Sequence, residues 1–184
     1  EHIWTHYEFT QDREFLKKMY PVLREAAAFM LDFLVESKDG YLVTAPSLSP
    51  ENKFLTSGEE TMIKLIDEVA KESRCSPNHP CISAVTIGST MDMSILRELF
   101  SNVARAAQIL DISDDPVPVQ ALESMKKFPP YRTGRFGQLQ EWYEDYEECT
   151  PGMSHTSHMY PVYPGGLITE TGTPELFEAA RRSL

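Results

Sequence analysis

The stretch Glu14-Phe-Leu-Lys-Lys-Met-Tyr-Pro-Val-Leu-Arg-Glu-Ala-Ala-Ala-Phe-Met-Leu-Asp-Phe-Leu34 decides the class of the fold. Phe15, Leu16, Met19, Leu23, Ala26, Ala27, Met30, Phe33 and Leu34 recur at steps of three and four, the period of a helix with one face against a core. Asp12 stands where an N-cap belongs, and Pro21 either kinks this helix or opens its second half. Asp39-Gly40 is expected to stop the helix and turn the chain.

Outward from this stretch the same period returns. Met62, Leu65, Ile66 and Val69 mark a helix over 58–72, and Ile95, Leu99, Val103, Ala106 and Leu110 mark one over 90–110. Ser89-Thr-Met-Asp92 has the form of a capping box at its start. Shorter helices are expected over 117–127, 138–147 and 174–184, the last with Thr173 as N-cap and Pro174 as first helical residue. Only 41–44 and 84–87 suggest extended chain. Helices joined by long loops rich in Pro and Gly predict an all-α architecture with its function in the loops.

Composition narrows the function. The chain has 184 residues, 41% hydrophobic and 24% charged, with a net charge of -11 and an isoelectric point near 4.9. The acidic balance argues against nucleic acid as a partner and favours a neutral or weakly polar substrate. No apolar run is long enough to span a membrane. Cys75 and Cys81 bracket a five-residue loop that a disulfide can close, or are reduced thiols, with Cys149 left unpaired. The first and last residues fall inside helical patterns, so a fragment of a larger protein is expected. Gly-x-Ser-x-Gly, Gly-x-Gly-x-x-Gly, P-loop and Cys-x-x-Cys patterns are missing from the sequence.

Three constellations can carry chemistry. In Pro46-Ser-Leu-Ser-Pro-Glu-Asn52 a single carboxylate, Glu51, follows a proline in a restrained loop. It reads either as a general acid in a partly dry pocket or as a first-turn residue of a short helix. Gly137-Gln-Leu-Gln-Glu-Trp-Tyr-Glu-Asp-Tyr146 crowds amides, carboxylates and aromatics, the groups that grip sugars. If helical, it puts Gln138, Glu141 and Asp145 on one face; the plainer reading is a solvated acidic helix with Trp142 in the core. His155-Thr-Ser-His158 offers two imidazoles for substrate hydroxyls or for the core, and without a third ligand of suitable spacing no metal is expected. Trp4, His6 and Tyr7 form a weaker cluster that reads as packing. A binding or scaffold module competes with an enzyme at this point.

Taken in order, Trp4-Thr-His-Tyr-Glu-Phe-Thr-Gln-Asp12, Tyr20-Pro-Val-Leu23, Phe33-Leu34, Leu42-Val-Thr-Ala-Pro-Ser-Leu-Ser-Pro-Glu-Asn52, Thr90-Met-Asp-Met93, Arg97-Glu-Leu-Phe100, Gly137-Gln-Leu-Gln-Glu-Trp142 and Ser154-His-Thr-Ser-His158 with Tyr163-Pro-Gly165 resemble glycoside hydrolase family 95. The resemblance runs the length of the chain. It implies an α-L-fucosidase acting with inversion on fucosyl α-1,2-galactosides, or an α-L-galactosidase, built on an (α/α)6 barrel of six helical hairpins. On it, Glu51 matches the general acid, and His155, His158, Glu141, Trp142 and Asp92 are candidate sugar contacts. Asp92 also reads as a helix cap.

An inverting glycosidase needs a base roughly 6.5–9.5 Å from its acid, with a water between. The family places that function in Asn-x-Asn and Asp-Gly-Asn-Phe-Gly segments, neither of which occurs in this sequence. The 184 residues are therefore expected to be the central part of one catalytic domain, completed by the rest of the same polypeptide and inactive alone. No metal or organic cofactor is implied. The expected partner is a fucosylated oligosaccharide or polysaccharide, and for the parent protein a secreted or extracellular setting is favoured. The competing expectations are another glycosidase of the same fold and an inactive carbohydrate-binding remnant.

Overall fold

A computed structural model of the chain describes residues 2–56, 81–149, 152 and 154–184. The expected helix over 58–72 and the Cys75–Cys81 pairing lie outside these residues, while Cys149 carries no disulfide. Helix α1 is His2–Thr10 and α2 is Arg13–Phe33, separated by Gln11 and by Asp12, whose side chain accepts from the Phe15 N–H at 2.9 Å. Pro21 lies inside α2 and opens no new helix. Leu34, expected as the last apolar residue of the helix, instead starts a strand, because its extended backbone pairs it with Thr44.

The remaining helices fall close to expectation. Helix α3 is Thr90–Ile109, α4 is Pro116–Met125 and α5 is Pro174–Arg182. Ser89 caps α3 through the Asp92 N–H at 3.3 Å, but only half of the capping box forms, since the Ser89 N–H turns to the Ser47 hydroxyl at 2.9 Å. Thr173 places no side-chain hydrogen bond on α5 and closes a turn with Thr169 instead.

Helices α2, α3 and α4 enclose the main core. Leu16, Tyr20, Leu23 and Ala27 face Met93, Leu96, Phe100, Val103 and Ala107, with Val117, Ala121 and Phe128 closing the far side. The buried face of α3 is rotated from the expected stripe. Ile95 and Leu99 sit at its edge and, with Phe29, Met30 and Phe33, line an open apolar trough of about 300 Å³. A smaller cluster of Leu139, Ile168, Ala179 and Ala180 seats α5.

The chain is helix-rich but not all-α. Strands β1 (Leu34–Glu36) and β2 (Leu42–Thr44) form a hairpin, while β3 (Ser47–Leu48) pairs with β6 (Val85–Thr86). Strand β4 (Phe54–Thr56) lies between β5 (Cys81–Ser83) and β7 (Glu147–Glu148). All the pairs are antiparallel. With two or three residues each, these strands are too short to show an alternating pattern in sequence. Together they strap 42–56 to three other parts of the chain.

The expected helix over 138–147 does not form. Residues 139–143 are buried without a break, which a helix packed on one face cannot achieve. Their backbone bonds go elsewhere: Leu139 N to Ala179 O at 3.0 Å, Gln140 N to Arg132 O at 2.9 Å, and Thr90 N to Glu141 O at 3.0 Å. Gln138 and Asp145 still meet, at 3.5 Å, across a bend and not along a helix face.

Candidate active site

The loop 46–52 is fixed at both ends. At its start, Asp92 in the first turn of α3 accepts from the Ser47 hydroxyl at 2.7 Å and the Thr44 hydroxyl at 3.2 Å. Burial raises the Asp92 pKa, and the two hydroxyls oppose the rise. In its middle, Ser89 Oγ donates to the Leu48 carbonyl at 2.8 Å. At its end, the Asn52 N–H donates to the Ser49 carbonyl at 2.7 Å and closes a turn. The chain runs from there into β4, so the alternative reading of Glu51 in a short helix does not hold.

Glu51 projects from this turn with its side chain 81% exposed, so its own segment supplies no dry pocket. Its Oε2 lies 3.8 Å from Nδ1 of the half-exposed His155. Beneath them the chemistry changes. Glu141 and His158 face each other with Oε2 and Nδ1 3.5 Å apart, and their side chains are only 5% and 8% exposed. Burial raises the Glu141 pKa, while the facing Ser49 and Asn52 side chains pull it back. Burial pushes the His158 imidazole down to about 4.

Asn52 joins the layers. Its Nδ2 donates to Glu141 Oε1 at 2.7 Å and to the His155 carbonyl at 2.6 Å. The Ser157 hydroxyl bonds the Pro50 carbonyl, so the turn holding both histidines is tied to the Glu51 loop twice. Trp142 is buried against Phe54, at 5.2 Å between ring centroids, and Phe54 stacks on Tyr146 at 4.0 Å.

Of the six residues picked out by sequence, the structure therefore brings Glu51, His155, Glu141 and His158 into one cluster. Trp142 adjoins it through the chain, and Asp92 anchors the other end of the loop. Glu141, His158 and Trp142 point into the protein. Asn52 was not singled out, although it stands beside Glu51 in the quoted motif; an amide next to a lone acid in a restrained loop was the available signal. Among the described residues no group of three or more His, Cys, Asp or Glu is arranged to hold a metal ion.

An exposed carboxylate on a loop fixed at both ends, with an imidazole beside it and buried polar groups beneath, brings together residue types that acid–base chemistry uses. The sequence matches the glycosyl hydrolase family 95 catalytic domain over residues 1–184, and the chain belongs to that family. It is 35% identical over 184 residues to alpha-L-fucosidase 2 of Arabidopsis thaliana, an alignment covering all of this chain and 19% of that protein. It is 30% identical over 176 residues to probable alpha-fucosidase A of Aspergillus niger, covering 91% of this chain and 18% of the relative. The chain thus spans about one fifth of the length of these relatives.

Proposed function

We propose that these residues are the central part of the catalytic domain of an inverting α-L-fucosidase that removes α-1,2-linked L-fucose from glycans. Glu51 is the general acid. Its proton passes to the glycosidic oxygen as the bond to the anomeric carbon breaks, and a water attacks that carbon from the opposite face. The base that takes the water's proton lies elsewhere in the polypeptide. His155, beside Glu51 and half-exposed, meets a sugar hydroxyl, while Glu141, His158, Trp142 and Asp92 form the floor and walls that hold the pocket's shape.

The observation that carries this reading is the convergence of the Glu51 loop, Glu141 and the 155–158 turn on one amide, Asn52. It makes three segments remote in sequence into one rigid unit with a single carboxylate at its open end. Membership of family 95 and the names of the two relatives point to fucosides as the substrate class. The trough between α2 and α3 supports a partial (α/α)6 barrel, because exposed Phe29 and Ile95 are apolar surface of the kind a further helix pair covers.

The test is Glu51→Gln in the full-length enzyme, since Gln keeps the shape and cannot donate the proton. Turnover of a fucosyl α-1,2-galactoside is expected to fall about 10²–10⁴-fold with sugar binding kept. Unchanged turnover would remove Glu51 from the mechanism.

A further inference from the structure

We infer that Asn52 and Glu141 act as a positioning pair for the acid, holding the Glu51 carboxyl at the angle from which it reaches the leaving oxygen. Neither touches the substrate. This rests on the acid role proposed for Glu51.

The argument starts from exposure. Glu51 has little of its own to hold it: its side chain is 81% exposed and the imidazole facing it, His155, stands 3.8 Å away, beyond hydrogen-bonding distance. Any precision in its direction must come from the backbone of the turn. That backbone continues into Asn52, a residue only 9% exposed, both of whose amide hydrogens are spent. One goes to the buried carboxylate of Glu141 and one to the carbonyl of His155.

The Glu141 bond lies in a dry site, where a hydrogen bond is electrostatically stronger than in water. Glu141 is itself immobile. Its backbone carbonyl takes the N–H of Thr90 at the start of α3, and its second oxygen faces His158 across 3.5 Å. The clamp thus connects the acid turn to α3 through two short bonds. Because Asn52 also grips the His155 backbone, one side chain sets the acid and its imidazole neighbour relative to each other.

The same contacts favour a positioning role for Glu141 over a direct sugar contact. Its Oε1 is already committed to Asn52, under a surface that leaves the side chain 5% exposed. A hydroxyl reaching it would first have to displace Asn52.

A clamp on the acid makes a prediction that a merely structural residue does not. Proton donation matters when the leaving group is a sugar alkoxide and matters little when it is fluoride, which departs without being protonated. In the full-length enzyme, Asn52→Leu keeps the side-chain volume and removes both donors. It is expected to slow a fucosyl α-1,2-galactoside about 10²-fold, the cost of a misplacement near 1 Å, and to leave hydrolysis of α-L-fucosyl fluoride within about threefold. Glu141→Gln retains an oxygen for Asn52 and is expected to keep most of the galactoside rate, whereas Glu141→Leu is expected to lose it as Asn52→Leu does.

Thermal melting of each variant checks that it folds. Should Asn52→Leu fail to fold, Asn52→Ser, which replaces the amide by a shorter hydroxyl, carries the same comparison. Equal slowing of both substrates, or of neither, would overturn the inference. Glu51→Gln run beside these variants separates the two claims. If it shows the leaving-group split and the Asn52 variant does not, the positioning role fails alone; if Glu51→Gln shows no split, the acid role fails.

Discussion

His158 gives the sharpest test of the buried layer, because its charge state follows from a contest of magnitudes. Its side chain is 8% exposed and burial pushes its pKa from 6.5 down to about 4. At about 1.4 kcal/mol for each tenfold change in proton affinity, keeping the imidazole neutral is worth about 3 kcal/mol. The opposing effect is attraction to Glu141. At 3.5 Å and an effective dielectric near 20, an ion pair recovers roughly 5 kcal/mol. Two buried ions together lose more than that, since each desolvation costs several kcal/mol and the contact is too long for a good hydrogen bond. The neutral imidazole wins.

The sign follows. A base whose folded pKa is depressed contributes stability in full above its unfolded value near 6.5, and that contribution is lost as the pH falls toward about 4. The measurement is the melting temperature of the full-length protein at pH 7 and pH 4.5, for the native chain and for His158→Asn. The native protein is expected to lose about 2 kcal/mol more than the variant over this range, a difference of several degrees. An imidazolium paired with Glu141 predicts the opposite: the native protein gaining on the variant as the pH drops through 6.5. That result would refute the reasoning.

Two further outcomes test the fold. Gly88 has φ +47°, and a Cβ there would stand 2.9 Å from Cγ1 of the fully buried Val43, so Gly88→Ala is expected to cost about 1–3 kcal/mol, read as a lowered melting temperature. Phe29 is 65% exposed in the trough, where a polar substitution should be neutral within about 0.5 kcal/mol if the face meets water. In the full-length protein Phe29→Asn is instead expected to cost about 3 kcal/mol, the loss for a buried aromatic, and a neutral result would mean that no part of the polypeptide covers this face.

Much of this was legible in the sequence. The helical period located α2, α3, α4 and α5, and Asp12 and Ser89 cap where their side chains indicated. The error at 138–147 is physical. Gln138, Glu141 and Asp145 have helical spacing, but spacing in polar residues says little when five consecutive residues are buried and the amides of Leu139 and Gln140 bond to Ala179 and Arg132 instead of along a helix. Of the small strands, β2 and β6 fall in the stretches 41–44 and 84–87 that suggest extended chain; the others were not legible, because strands of two or three residues are too short to establish an alternation and most of their partners are remote in sequence. At the site, the loop of Glu51 stood out because proline restricts the backbone on either side. The clamp did not, because nothing local shows that Asn52 turns inward to a residue 89 positions away.

Residue type alone cannot separate groups that grip a sugar from groups that grip a loop, since both tasks need carboxylates, amides and imidazoles with their hydrogen bonds filled. Burial separates them. Asp92 Oδ2 takes two hydroxyls at the start of the 46–52 loop and Glu141 Oε1 takes an amide at its end, so two carboxylates that sequence reading offers to substrate also hold the frame. Glu51 is the acid left over, held by its backbone and open to water. An acid of this kind has its geometry before substrate arrives and gains its dry surroundings afterwards, from the sugar itself and from whatever packs over the loop. On the role proposed for Glu51, orientation from within this segment and desolvation from outside it make separate contributions to one proton transfer. That division would account for a restrained loop beneath an exposed acid.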